Sequence, residues 1–167
     1  ARWMQAGDGR WWLRYPDGTF PAGERIERDG AVYSFDSEGW MKTGWENDGG
    51  AWRYYRASGA MATGWLKVAG SWYYLDPDSG VMATTWLKDG QSWYYLDPSS
   101  GAMTTGWLKL GASWYYLDPG SGAMATGWLK VAGSWYYLDP GSGAMVAGRA
   151  VIAGTAYTFD DSGRWVG

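Results

Sequence analysis

The sequence predicts an all-β fold, a solenoid of β-hairpins repeated as a superhelical array of about eight units, and three observations predict it. A cassette of about 21 residues recurs down most of the chain. Within it, two short aromatic and β-branched runs flank a small-residue turn, which is the signature of a hairpin. No stretch carries a helical periodicity.

The units follow in order. The chain opens mid-cassette at Arg2-Trp3, as expected of a piece of a larger secreted protein, and a degenerate cassette runs from Arg25 to Asp36. A looser copy starts at Gly44, and regular copies start at Gly64, Thr85, Gly106 and Gly127, the last reading GWLKVAGSWYYLDPGSGAM. A final degenerate unit begins near Arg149. The expected organisation is one continuous repeat module, with degenerate repeats over 1–43, five well-formed repeats over 44–147 and a capping repeat over 148–167. Inside each copy the hairpin turn has a small residue, such as Ala69-Gly70 or Gly133. A second turn, Asp-Pro-x-Ser-Gly, begins with a side chain suited to capping and a φ-fixing Pro. A lone hairpin is marginal in water, so each must be stabilised by its neighbours.

Composition narrows the function. Trp supplies 15 residues and Tyr 13, against 3 Phe. A core would accept Phe as readily, so the bias toward rings with a polar handle points to contact surfaces. The absence of Cys and His excludes disulfides, thiol nucleophiles, the usual zinc sites and a catalytic histidine. No conspicuous carboxylate pair and no Ser with an activating base is present, so no catalytic residue is assigned, and no metal or cofactor. A net charge of −3 with scattered signs leaves no nucleic-acid footprint. No apolar run approaches the ~20 residues of a membrane-inserting helix. The rank of Asp76, Asp97, Asp118 and Asp139 offers one acid per turn beside a Pro, which suits turn capping rather than calcium.

Strand parity separates two faces. With the turn centred on 69 and 70, Trp65 lies opposite Tyr74 and Lys67 opposite Trp72, all on one face. Leu66, Val68, Tyr73 and Leu75 occupy the other. The degenerate cassettes separate the faces by use. Around Arg25 the second face stays apolar as Ile26, Tyr33 and Phe35, while the first becomes Arg25, Val32 and Ser34. At the C-terminal end Tyr157 and Phe159 remain, while Arg149, Ala156 and Thr158 replace the other set. The kept face is read as packing and the abandoned one as binding. The Gly44 cassette departs the other way, with Glu46 and Arg53 where other units carry Leu and Tyr, so its packing must differ locally.

Two Trp and a Tyr on one face, with a Met leading to the next Trp, make an aromatic cage once hairpins stack. Its natural guest is a quaternary ammonium, each ring contributing ~0.5–2 kcal/mol. A thioether floor adds soft apolar contact.

The cassettes resemble the choline-binding, or cell-wall-binding, repeats of Gram-positive surface proteins, autolysins and phage lysins, closely over Gly44 to Met145 and loosely in the flanks. The resemblance implies a superhelical hairpin solenoid holding choline of (lipo)teichoic acids between consecutive repeats, secreted and retained at the bacterial cell wall. It places site walls at Trp45, Trp52, Tyr54 and Trp65; at Trp65, Trp72, Tyr74 and Trp86; at Trp86, Trp93, Tyr95 and Trp107; and at Trp107, Trp114, Tyr116 and Trp128, with Met61, Met82, Met103 and Met124 between units. The last complete unit, with Trp128, Trp135 and Tyr137, meets Arg149 instead of a Trp, and an arginine repels a cationic guest. Trp107 is thereby expected to wall two sites. Thr85 replaces the usual Gly before Trp86.

Related repeats of glucosyltransferases and clostridial toxins share the GW/YY skeleton and bind α-glucan or other glycan, so a glycan polymer is the alternative partner. Sugar sites add side chains that bond hydroxyls. Here the recurrent polar residue on the aromatic face is only Lys67, Lys88, Lys109 or Lys130, which favours choline. Those lysines either contact the phosphate of phosphocholine or cover Trp with their stems. A spacer whose aromatics only pack stays open, as does a homodimer.

Overall fold

The computed structural model describes residues 1–167 and contains no helix. Sixteen strands pair into eight separate two-stranded antiparallel sheets, each one hairpin. They are β1 (Arg2–Gln5) with β2 (Trp11–Arg14), β3 (Arg25–Arg28) with β4 (Ala31–Ser34), β5 (Gly44–Asp48) with β6 (Ala51–Tyr55), and β7 (Gly64–Val68) with β8 (Ser71–Leu75). There follow β9 (Thr85–Asp89) with β10 (Ser92–Leu96), β11 (Gly106–Leu110) with β12 (Ser113–Leu117), β13 (Gly127–Val131) with β14 (Ser134–Leu138), and β15 (Gly148–Ile152) with β16 (Thr155–Phe159). The fold is the hairpin repeat that the sequence predicts. The hairpins group into two compact units, Ala1–Ala83 and Thr84–Gly167.

The register is the one expected. Trp65 faces Tyr74, Leu66 faces Tyr73 and Lys67 faces Trp72 across β7 and β8, and the same pairs recur in the regular hairpins. Ala69 and Gly70 both take positive φ, at 49° and 84°, as a two-residue turn matched to strand twist requires. The second turn is capped as its composition implies. Asp76 Oδ1 accepts hydrogen bonds from the N–H groups of Asp78 and Ser79 at 3.0 and 2.7 Å, and Asp97, Asp118 and Asp139 repeat the arrangement.

Within each unit, consecutive hairpins are stitched by the residue that follows this turn. The N–H of Met82 donates to the carbonyl of Trp52 at 2.7 Å, and that of Met124 to Trp93 at 2.8 Å. Each such Met also bridges its own hairpin, as Met82 does with Leu75 and Met124 with Leu117. Its side chain lies on the glycine of the next turn: Met61 on Gly80, Met103 on Gly122, Met124 on Gly143. A Cβ there would strike the thioether. The last strand residue of each hairpin is the core. Leu75, Leu96, Leu117 and Leu138 are completely buried, each stabilising by about 1.5–3 kcal/mol.

The Gly44 hairpin does pack differently, and charge explains how. Glu46, at the place of Leu66, accepts from Lys42 Nζ at 2.7 Å and Ser34 Oγ at 3.1 Å. Burial is the largest single influence and opposes its ionisation, but those bonds and the charge of Lys42 act together against it, and the carboxyl stays below its ordinary range. Arg53, at the place of Tyr73, donates to the carbonyl of Ser79 at 2.9 Å, and Arg25 pairs with Asp48 at 2.9 Å. The full-length Tyr55 fills the completely buried place taken by Leu75 in the next hairpin.

Two outcomes follow from the turns. Thr85 holds φ of 63° at the position where Gly44, Gly64, Gly106 and Gly127 also lie in the left-handed region. A β-branched residue is strained there, so Thr85→Gly should stabilise by about 0.5–1 kcal/mol in urea denaturation, despite the looser unfolded chain. The bond from the N–H three residues on is the chief cause that lowers the pKa of Asp76, Asp97, Asp118 and Asp139. A depressed folded pKa contributes stability above the unfolded value of about 3.9 and loses it as pH falls through the folded value. Thermal midpoints should therefore hold from neutrality to about pH 4 and drop below it, and changing all four to Asn should flatten that acid limb.

Candidate functional site

The rings that join hairpins also enclose cavities. In the second unit, Trp86 on β9 and Trp93 on β10 stand on the same face, and Tyr115 of the next hairpin closes against Trp86 with centroids 5.1 Å apart. Met124 and the turn residues Gly141 and Ser142 complete a cavity of about 270 Å³. The same trio recurs as Trp107, Trp114 and Tyr136, with Trp107 centred 6.5 Å from Trp114 and 4.9 Å from Tyr136. It recurs again as Trp128, Trp135 and Tyr157, where Trp165 takes the methionine place and the cavity is about 380 Å³.

The first unit holds two more sets. Trp45 and Trp52 lie 6.4 Å apart at 83°, with Tyr73 4.9 Å from Trp45 and Met82 stitched to Trp52. Near the start of the chain, Trp3, Trp11, Tyr33 and Met41 line a cavity of about 440 Å³ with Ala57 and Ser58 from the following turn. The two Trp rings stand nearly perpendicular in the sets of Trp45, Trp107 and Trp128, at 83°, 87° and 84°. The second Trp forms an outer lip, with Trp52, Trp93, Trp114 and Trp135 still 38–40% exposed. No charged side chain lines the cavity at Trp86. Such a box can hold a soft cation by its ring faces, with Ser142 and the Tyr115 hydroxyl as its polar side-chain groups.

The composition of the cavities differs from the expected walls in one ring. The third ring is the first Tyr of the next hairpin's pair, a residue assigned by parity to packing. The second Tyr of each pair (Tyr54, Tyr74, Tyr95, Tyr116 or Tyr137) instead packs edge-on against the first Trp of its own hairpin at 4.9–5.2 Å. Tyr95 is nearly buried in that role. At the cavity of Trp86 and Trp93 the next hairpin's Trp107 is not among the lining residues, and it lies 6.5 Å from Trp114 of its own hairpin. Trp65 and Trp72 occupy the equivalent places on β7 and β8. Met82 and Met124 sit with the Trp pair of the hairpin before them, while Met61 is stitched to Val32, where no Trp pair exists. Met103 lies against Gly122.

Arg149 does not line the cavity at the last complete unit. It is exposed on β15, and Tyr157 and Trp165 close that cavity instead. The retained Tyr33 and Tyr157 of the degenerate cassettes are thus walls for the hairpin before them, and that retention was the signal available in the sequence. Trp3 and Trp11 escaped notice because the turn between β1 and β2 is longer, spacing the pair by eight residues instead of seven. The lysines point across Trp: Lys67, Lys88, Lys109 and Lys130 hold Nζ 5.8–5.9 Å from the centroids of Trp72, Trp93, Trp114 and Trp135.

A family model described as choline-binding repeat matches residues 42–86, 83–126 and 104–149. No curated protein sequence matches. Among solved structures, CbpJ from Streptococcus pneumoniae is 41% identical with a TM-score of 0.89, over 98% of this chain and 57% of that one. Choline binding protein F from Streptococcus pneumoniae is 40% identical at 0.88, over 99% and 57%. The multimodular pneumococcal cell-wall endolysin from phage Cp-1, complexed with choline, is 40% identical at 0.54, over 74% and 36%. This chain therefore spans little more than half the length of the first two. With the repeat model covering most of its length, the chain belongs to the choline-binding repeat family.

Proposed function

We propose that this chain is a non-catalytic module that holds choline in its aromatic cavities and so retains a secreted protein on the teichoic acids of a bacterial cell wall. The observation that carries the reading is the recurring trio of two Trp and the next hairpin's Tyr over a Met or Trp floor, as at Trp86, Trp93, Tyr115 and Met124. A trimethylammonium group presents only methyls and diffuse charge, so it loses no hydrogen bond on entering a box of ring faces. One such cavity binds weakly. Several on one chain, meeting a polymer with many copies of the ligand, convert weak contacts into firm retention. The sites extend beyond the well-formed repeats of 44–147, since 1–43 carries the Trp3 set and 148–167 supplies Tyr157 and Trp165.

Calorimetric titration with choline should saturate at several equivalents per chain. Trp93→Ala and Tyr115→Ala should each remove one equivalent, the same one, while Trp107→Ala should remove one and not two. Tyr157→Ala should remove one and Arg149→Ala none. Tyr95→Ala should lower the thermal midpoint more than the stoichiometry. Silence with choline and a saturable response to isomaltose-type oligosaccharides would replace this reading with the glycan-binding one. For wall attachment, the protein should bind choline-bearing cell walls and be released by free choline.

A further inference from the structure

Six of the seven methionines stand in one place, directly after the second turn: Met41, Met61, Met82, Met103, Met124 and Met145. No Cys competes with them for an oxidant, so oxidation falls first on these thioethers. All six are half-buried. Met41 and Met124 line cavities whose lip Trp, Trp11 or Trp93, is 39–40% exposed, so a small uncharged oxidant reaches the floor.

One side of each sulfur has no room. Met41 lies on Gly59, Met124 on Gly143 and Met145 on Gly163, so closely that a Cβ on any of these glycines would overlap Sδ and Cε. An oxygen added to Met124 must therefore turn into the cavity or drive the turn at Gly143 away. In the cavity it meets the guest's methyls, which donate no hydrogen bond, so the sulfoxide is stripped of its water when the guest enters. Against Gly143 it opens the seat that fixes one hairpin on the next. Both routes weaken the site.

Two places in the same chain lack one half of this arrangement. At the last cavity Trp165 takes the place of the Met, beside Trp128, Trp135 and Tyr157. At the joint between β3–β4 and β5–β6, Met61 is stitched to Val32 and seated on Gly80, but Arg25 and Val32 stand where a Trp pair would. The first is a cage without a thioether floor, the second a thioether without a cage.

We propose that the floor methionines, Met41 and Met124 foremost, are a modification site at which a hydroperoxide reversibly disables choline binding while the Trp165-floored cavity stays active. The proposal rests on the choline reading for its ligand. In the step, a sulfur lone pair takes one oxygen of the peroxide as the O–O bond breaks. Sulfur is oxidised by two electrons to the sulfoxide, and the departing oxygen takes the proton of the transferred one and leaves as water. A bound quaternary ammonium in turn shields the sulfur beneath it.

The test treats the folded protein with hydrogen peroxide, with and without choline, and follows sulfoxide formation at each methionine by peptide mass spectrometry. Choline at about ten times its Kd should slow oxidation of Met41 and Met124 by about tenfold and leave Met61 unchanged. By calorimetry the oxidised protein should lose the equivalent that Tyr115→Ala removes and keep the one that Tyr157→Ala removes. The two epimer-specific methionine sulfoxide reductases together should restore the lost equivalent, which separates sulfur oxidation from ring damage. Equal protection of Met61, unchanged binding after oxidation of Met124, or loss of every equivalent together overturns the site. If the untreated protein binds no choline, the functional reading falls instead. A thermal midpoint that drops on oxidation and returns with the reductases then upholds the glycine seat as the sensitive element, and one that does not move overturns it.

Discussion

The contact between a Trp on one hairpin and the first Tyr of the next holds this molecule together and also makes its sites. A two-stranded sheet cannot bury enough surface to persist alone. Its rings must find a partner outside it, and the only partner within reach is the neighbouring hairpin. Rings meeting edge to face leave one ring face uncovered, and at Trp45, Trp107 and Trp128 the Trp seven residues on stands nearly at right angles. Folding the joint and building the cavity are one event, so a variant that empties a cavity of a wall also loosens the stack.

The joint between β3–β4 and β5–β6 shows what remains when the rings are withdrawn. Charges fill the vacated places: Arg25 on Asp48, Lys42 on Glu46, and Arg53 on a backbone carbonyl. Partly exposed ion pairs of this kind contribute about 0.2–1 kcal/mol each, less than the buried rings they replace. The backbone stitch persists, with Met61 still bonded to the carbonyl of Val32 at 2.8 Å. The main-chain links are therefore independent of the cages, and the repeat tolerates a joint without a ligand site. Glu46 and Arg53, which looked like unrelated departures from the cassette, are the two sides of that substitution.

The hairpins, their register and both turns were legible in the sequence because each depends on residues close together in the chain. Ala-Gly specifies the tight turn, Asp-Pro-x-Ser-Gly the capped one, and parity fixes which side chains share a face. The cavity was legible in part. Trp45, Trp52, Trp86, Trp93, Trp107, Trp114, Trp128 and Trp135 follow from one hairpin's own face. Tyr73, Tyr115, Tyr136 and Tyr157 do not, because parity within one hairpin says nothing about what its other face meets. The assignment of that face to packing was half of the answer, since packing there is what brings the third ring to the site.

By itself the sequence determined the local unit, its repetition and the chemical kind of surface it carries, all of which follow from short-range periodicity and turn chemistry. The tertiary structure decided which rings share a cavity, that Tyr95 and its equivalents pack against the first Trp of their own hairpin, and that Tyr157 and Trp165 line the last cavity while Arg149 stays exposed. The physical reason is that a site built between hairpins depends on the offset from one unit to the next. That offset is set by the Met-to-Trp backbone bond, between residues about thirty positions apart, and by the Met-on-Gly contact, between residues about nineteen apart, each reaching from one hairpin to the next.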